Sequence, residues 1–399
     1  MDTRRLSAVW RWCREHPYSL IAAVFFAAYL IPFCTRKKSE WEDVYVRSAA
    51  ELVAGVDFYL QPQGYFYPPF MTLMALPFTE MPLWVGRVTW YAVNVLCFVL
   101  LVRLAWRLSG GGRLEGAAVR DRSEQWVFLL GLGCGVWYSF HTMTHKQTDL
   151  VIAALLLGGC VAVWRGRPLL GGGLLGLSAA MKCTPLLFAP YLMLRRRWLA
   201  AGVLVAVAVG VNLLPDLVHP GPEGGTWLGR WVTIFLAPMT GANHAPGIWG
   251  SSVLYNQSLG GFWNRLLTTE WLWADWGVAI LPRPDAAGPQ TLKALTYGTG
   301  ALLLIAIFSL FALRRGREER ETRAAPPADA VEMGAVFCLM LLLSPMSSIP
   351  HFCTLILPGF CLARRAVYRG GAVVWSLLAL AILAALTSNK DLWGGRIYT

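Results

Sequence analysis

DLVIAALLLGGCVAVWRGRPLLGGGLLGLSAAMKCTPLLFAPYLMLRRRWLAAGVLVAVAVGVNLLPDL, residues 149–217, decides the fold. It holds four apolar runs, 149–165, 168–181, 184–195 and 199–217, broken only by Arg165-Gly166-Arg167, Lys182-Cys183 and Arg195-Arg196-Arg197. A helix needs about 20 apolar residues to cross the ~30 Å hydrocarbon core of a bilayer. The runs are therefore membrane passes, several of them short enough to be tilted or broken. Gly171-Gly172-Gly173 reads as close-packing glycine within a helix rather than as a phosphate cradle.

The same pattern extends in both directions. Further apolar runs lie at 18–35, 83–106, 125–141, 291–313, 331–344, 352–363 and 371–388. The expected fold is an all-α integral membrane protein with about ten to twelve passes, a single polytopic domain over residues 1–399. Composition agrees: 56% of residues are hydrophobic and only 15% charged, against roughly 25% charged in soluble domains. The 19 tryptophans suit the membrane–water interface.

The net charge of +12 does not point to nucleic acid, because the basic residues cluster in short segments between apolar runs. With the N-terminus in the cytoplasm, segments 107–124, 165–168, 195–198, 314–329 and 364–369 all fall inside, and all are basic. That is the positive-inside pattern, and it suits a bacterial inner membrane. It requires 66–80 to lie along the outer surface without crossing, and it leaves Arg36-Lys37-Lys38 as a local exception. The nine cysteines form no CxxC pair and sit mostly inside apolar runs, so neither a disulfide framework nor a zinc site is expected.

Polar residues then gather on the outer side, in 36–82, 141–149, 218–290 and 344–352. The loop 218–290 carries amphipathic pieces near 226–237 and 258–276, suited to the bilayer surface. The first outer loop opens with Glu40, Glu42 and Asp43, carboxylates able to anchor a loop, bind a cation or act as a base. His141 and His145 stand four apart, a metal-pair spacing on a helix, but no third ligand is evident; a polar cluster at a cavity mouth is the better reading. Lys182 interrupts two short apolar halves just before Thr184-Pro185, and a cation at such a break suits a lipid phosphate. Arg87 is the other cation near an outer helix end, where snorkelling to the interface is the competing role. His351 closes the set in Ser344-Pro345-Met346-Ser347-Ser348-Ile349-Pro350-His351.

In order, Asp43, Tyr45, Ala49-Ala50, Gly55, Tyr59, Tyr67-Pro68-Pro69 and Leu76-Pro77-Phe78 resemble the first outer loop of GT-C membrane glycosyltransferases, within them the polyprenol-phosphate-dependent mannosyltransferases of glycosyltransferase family 87. Gln147 matches that family's Gly-Gln-x-Asn, while Lys146 and Asp149 stand where its Gly and Asn would be. Gly171 to Lys182-Cys183-Thr184-Pro185, Asn256-Gln257-Ser258-Leu259 with Arg265 beyond, and Ser344-Pro345 with His351 resemble its later segments.

The resemblance implies an inverting transfer of a hexose, mannose first, from a polyprenyl phosphate to a lipid or glycan acceptor at the outer face. Asp43 is the first choice of base, with Glu42 and Glu40 behind it. Lys182, Arg87 and Arg265 are expected on the donor phosphate, and Tyr45, Tyr59, Tyr67, His145, Gln147, Asn256 and His351 around the substrates. No cofactor or tightly bound metal is expected. The partners are membrane lipid, the lipid-linked sugar and the acceptor, and nothing in the sequence speaks to oligomeric state. The competing class is a transporter or flippase of a lipid-linked saccharide, which predicts paired internal repeats with broken helices in both halves; a single break is seen, at Lys182.

Overall fold

The computed structural model describes residues 10, 12–61, 64–114, 121–241, 256–267, 287–314 and 326–388. Among them the secondary structure is helical throughout, with no strand. The elements are α1 (Pro17–Thr35), α2 (Arg47–Val53, entered through a wider turn Trp41–Val46), α3 (Phe70–Ala75), α4 (Leu83–Leu108), α5 (Arg122–Gly133), α6 (Val136–Thr144), α7 (Asp149–Trp164), α8 (Pro168–Met181), α9 (Phe188–Leu194), α10 (Trp198–Asn212), α11 (Trp227–Trp231), α12 (Leu259–Leu267), α13 (Pro289–Arg314), α14 (Ala328–Leu343), α15 (Ile356–Arg369) and α16 (Ala372–Thr387).

Four helices, Pro17–Thr35, Leu83–Leu108, Trp198–Leu217 and Pro289–Leu313, are long and apolar enough to cross a membrane by length and composition. Their outward side chains are apolar as well: Ile21, Val24, Leu96, Leu302, Ile305 and Leu310 are exposed, as lipid-facing residues should be. The chain is an all-α integral membrane protein. The other passes read from the sequence are shorter helices, and two are broken. The run 125–141 divides at Cys134-Gly135, where a Cβ on Gly135 would lie 2.8 Å from the backbone nitrogen of Ile356. The run 168–195 divides at Lys182, whose extended backbone (φ −157°, ψ 117°) ends α8 before a 3-10 turn at Thr184–Leu187. Pro185 prevents the helix from continuing.

Two of the three glycines of the run in α8, Gly171 and Gly172, serve close packing, while Gly173 faces open space. A Cβ on Gly171 would meet the Gly159 carbonyl oxygen of α7 at 2.8 Å, and one on Gly172 the Ala200 carbonyl oxygen of α10 at 2.6 Å. Both neighbours thus approach α8 backbone to backbone, the arrangement small residues permit within membranes. This fixes where Lys182 emerges relative to the start of α7.

Segment 66–80 is a short helix followed by a 3-10 turn, Leu76–Phe78. α11 and α12 fall on the two amphipathic pieces read from the long loop; the stretch 268–286 lies outside the described residues. The ends of the helices sort the polar chemistry. Around the C-termini of α1, α6 and α8 lie the N-terminus of α7 and the loop 344–351. At the opposite ends Arg364 of α15 pairs with Glu124 of α5 at 2.8 Å, and Arg195 after α9 pairs with Glu332 of α14. The basic segments 165–168, 195–198 and 364–369 therefore share the end away from the outer-loop residues.

Candidate active site

The site begins where α1 stops. Ser39, itself buried, accepts the Glu42 N–H on its Oγ at 3.2 Å, and Asp43 Oδ2 accepts the Ser39 N–H at 3.2 Å. This reciprocal cap opens the helical run 41–53. Trp41 then stacks flat on Trp90 of α4, ring centroids 3.6 Å apart, with Phe78 edge-on at 5.0 Å. Successive helical residues point about 100° apart, so pinning Trp41 sends the three carboxylates around it in different directions.

Asp43 points to solvent, and its work is the cap on Ser39. Glu42 points into a cage. Arg87 grips it with two parallel bonds, Nε to Oε1 and Nη2 to Oε2, both 2.7 Å, and places Nη1 on the Cys34 carbonyl at 2.7 Å. Lys146 Nζ adds a third cationic contact to Glu42 Oε1 at 3.1 Å. Burial works to raise the Glu42 pKa, yet the bonds and charges of Arg87 and Lys146 outweigh it and hold the carboxylate below its usual range. Burial also lowers the Lys146 pKa, with Glu42 opposing. Lys146 sits in the left-handed region (φ 55°), buried, with its carbonyl accepting the Trp90 indole N–H at 3.1 Å. This triad bolts α1, α2, α4 and the α6–α7 turn together.

Glu40 points the third way. Its Oε2 accepts the Gln147 amide at 2.5 Å, and its backbone N–H donates to the His145 carbonyl at 3.2 Å. Burial raises its pKa; the Gln147 bond opposes this, the Asp149 charge adds to it and the Lys182 charge subtracts. A carboxylate so raised is a stronger base than one in water.

Next to it Asp149, at the start of α7, takes Lys182 Nζ on Oδ1 at 2.8 Å. Lys182 also lies over the Tyr67 ring, 5.6 Å from its centroid, a cation–π contact. His351 Nε2 is 3.7 Å from the same Asp149 oxygen, and His351 Nδ1 accepts the Ser348 N–H at 2.9 Å. With Nδ1 an acceptor, Nε2 carries the proton. Burial and the Lys182 charge hold the His351 pKa down at about 3 against the pull of Asp149, so the ring is neutral near pH 7. Two buried oxygens of this cluster, Gln147 Oε1 and Asp149 Oδ2, have no hydrogen-bond partner in the protein. Buried polar atoms are nearly always satisfied, so this pair marks where a ligand or water would bind.

Of the residues singled out in the sequence, Glu40, Gln147, Lys182, His351, Tyr45 and Tyr67 come together. The Tyr45 and Tyr67 rings stand 4.9 Å apart, and burial pushes both phenols up. The others do different work. Tyr59 supports the turn from behind, its OH donating to the Tyr67 carbonyl at 3.2 Å. Asp57 ties the same loop to Arg230 of α11 at 2.8 Å. Asn256 braces two segments: its amide donates to the Pro345 carbonyl at 3.1 Å, and its Oδ1 accepts the Ser347 N–H at 3.2 Å. Arg265 donates to the Asn256 carbonyl at 2.5 Å, and Arg87 is held by Glu42, so Lys182 is the cation of this cluster. His145 stacks on His141, ring centroids 4.3 Å apart; among the described residues no three His, Cys, Asp or Glu side chains are grouped to hold a metal ion. Asp149 and Lys146 carry roles the sequence did not announce, since nothing in their spacing tells which partner each finds.

The family model described as glycosyltransferase family 87 matches residues 65–345. That range takes in Tyr67, Gln147, Asp149 and Lys182 and leaves Glu40 and His351 outside. Among curated proteins, the polyprenol-phosphate-mannose-dependent alpha-(1-2)-phosphatidylinositol pentamannoside mannosyltransferase of Mycolicibacterium smegmatis is 28% identical over 189 residues, 43% of this chain and 43% of that protein. Its counterpart of the same name in Mycobacterium tuberculosis is 29% identical over 156 residues, 38% of this chain and 34% of that protein. The chain spans less than half the length of the curated relatives it matches. No solved structure matches.

Proposed function

The chain belongs to glycosyltransferase family 87, and from that premise we propose that it transfers a hexose, mannose first, from a polyprenyl phosphate to a lipid-linked glycan at the outer face of the membrane, inverting the anomeric centre. The observation that carries this reading is one cluster at one end of the bundle. A half-buried carboxylate with a raised pKa, Glu40, a cation, Lys182, and a neutral imidazole, His351, converge there from three separate segments. The named activity of the two mycobacterial relatives supplies the donor class and the kind of acceptor.

The reaction is one displacement. The acceptor hydroxyl oxygen attacks the anomeric carbon while the bond from that carbon to the phosphate oxygen breaks. Glu40 takes the hydroxyl proton, and polyprenyl phosphate leaves with the bonding pair. Gln147 fixes the Glu40 rotamer, so the base is aimed before substrate arrives. Charge grows on the departing phosphate, where Lys182 counters it most strongly in the transition state. The neutral His351 offers Nε2–H as a donor to a substrate oxygen. Tyr67 and Tyr45 supply the aromatic wall of the sugar pocket. No nucleotide and no metal enters this scheme. The outer-face assignment rests on the five basic segments that the sequence places between apolar runs, on the side opposite the outer loops in the positive-inside reading.

The test is direct. Purified protein in proteoliposomes is given a synthetic polyprenyl-phosphate hexose and a lipid-linked glycan acceptor. Formation of an elongated acceptor of inverted linkage, with release of polyprenyl phosphate, is the expected result. Movement of donor across the bilayer without any elongated product would replace transfer with transport.

A further inference from the structure

Resting on that reading, we propose that Asp149 is a place-holder for the donor phosphate: it occupies Lys182 in the empty enzyme, yields it when the phosphate arrives, and is then taken up by His351.

Lys182 must receive an anion, yet it is already neutralised at 2.8 Å by Asp149. The Asp149 carboxylate lies against the ammonium, so an anionic donor meets a competing anion before it meets a free cation. The two partners of the pair differ in freedom. Asp149 is fixed at the start of α7, its side chain only 5% exposed, whereas the longer Lys182 side chain is 16% exposed at the tip of a broken helix. Lys182 is therefore the member that swings.

The carboxylate left behind is not stranded. It lies at a helix N-terminus, where the backbone dipoles favour negative charge. His351 Nε2–H stands 3.7 Å from Oδ1, slightly beyond bonding distance and close enough to close on it. Oδ2 already lacks a protein partner and has capacity to accept. The exchange has a direction in the reaction. A donor phosphodiester carries one negative charge, and the leaving polyprenyl phosphate carries more. Lys182 is drawn to the phosphate most strongly as the bond breaks, while Asp149 reclaims it afterwards and helps expel the product.

The experiment uses Asp149→Asn, which keeps the shape and an oxygen for Lys182 but removes the competing charge, with Asp149→Ser as a second neutral variant in case the first does not fold. Farnesyl phosphate is the probe. A charge a few ångströms away in a partly buried site is worth at least about ten-fold in affinity. Both variants should bind farnesyl phosphate about ten-fold more tightly than wild type, lower the donor KM, and show stronger product inhibition with a reduced kcat. Adding Lys182→Gln should cancel the tightening. A merely structural Asp149 would give unchanged or weaker binding in a folded variant, and that result overturns the place-holder. Absence of any transfer by wild type would instead defeat the reading on which it rests.

Discussion

Replacing Glu40 by Gln separates chemistry from folding. The amide keeps the size of the side chain, so Gln147 and the wall around it lose no packing, and only the proton acceptor is lost. A positioned general base contributes about 10²–10⁴-fold to rate, and kcat should fall by that amount. Stability should not fall with it. The Glu40 pKa is raised in the folded protein, first by burial, from the ordinary 4.5. Folding thus favours the protonated acid: its contribution is fully present below the unfolded pKa and is lost as pH rises through the folded one. At pH 7 an uncharged Gln suits this half-buried position at least as well as a carboxylate. The assay is transfer from a polyprenyl-phosphate hexose, run beside thermal unfolding in detergent. The wild-type rate should rise with pH through a limb above the usual carboxylate range, and that limb should vanish in Glu40→Gln. Asp43→Asn is the control; its exposed side chain only caps Ser39, and kcat should stay within about two-fold. A Glu40→Gln enzyme within ten-fold of wild type, or an Asp43→Asn enzyme more damaged than it, would refute the reasoning.

Glu42→Gln should act on the fold instead. It strands Arg87 and Lys146 and, because the pair is not fully buried, should cost about 1–3 kcal/mol, less than the 3–5 of a fully buried pair; a drop in unfolding temperature that exceeds the proportional loss of kcat is the readout. His351 is held neutral with its pKa at about 3, below the ordinary 6.5. Its contribution to stability is complete above pH 6.5 and declines as pH falls toward 3, so His351→Gln should be less acid-sensitive than wild type in thermal melts between pH 7 and 4, and no His351 limb should appear in the rate profile near neutrality. Transfer should persist in excess EDTA and fail with a nucleotide-linked hexose as donor; loss of activity on chelation, restored by a divalent cation, would contradict the mechanism.

Much of the fold was legible because lipid imposes a simple code. The apolar runs gave α1, α4, α10 and α13 within a few residues, and Lys182 followed by Thr184-Pro185 marked the broken helix. The division at Cys134-Gly135 is not legible, since what packs against it is the backbone of Ile356, more than 200 residues away. The site was half legible. Its loops and most of its residues could be gathered by sidedness. The choice among Glu40, Glu42 and Asp43 turns on rotation about a helix, fixed by the stack of Trp41 on Trp90. The pairing of Arg87 with Glu42 is not legible either, since nothing in the sequence links the two. Lys146 looked like a loop residue, and its burial follows from a left-handed turn that no local motif announces.

A structure of the protein with a bound polyprenyl-phosphate hexose tests the central claim most directly. The phosphate should sit on Lys182 Nζ, the anomeric carbon should face Glu40, and the lipid chain should leave between helices toward the bilayer. A phosphate held instead by Arg195, Arg196 and Arg197 at the opposite end of the bundle, or by Arg87 with Glu42 displaced, would contradict it.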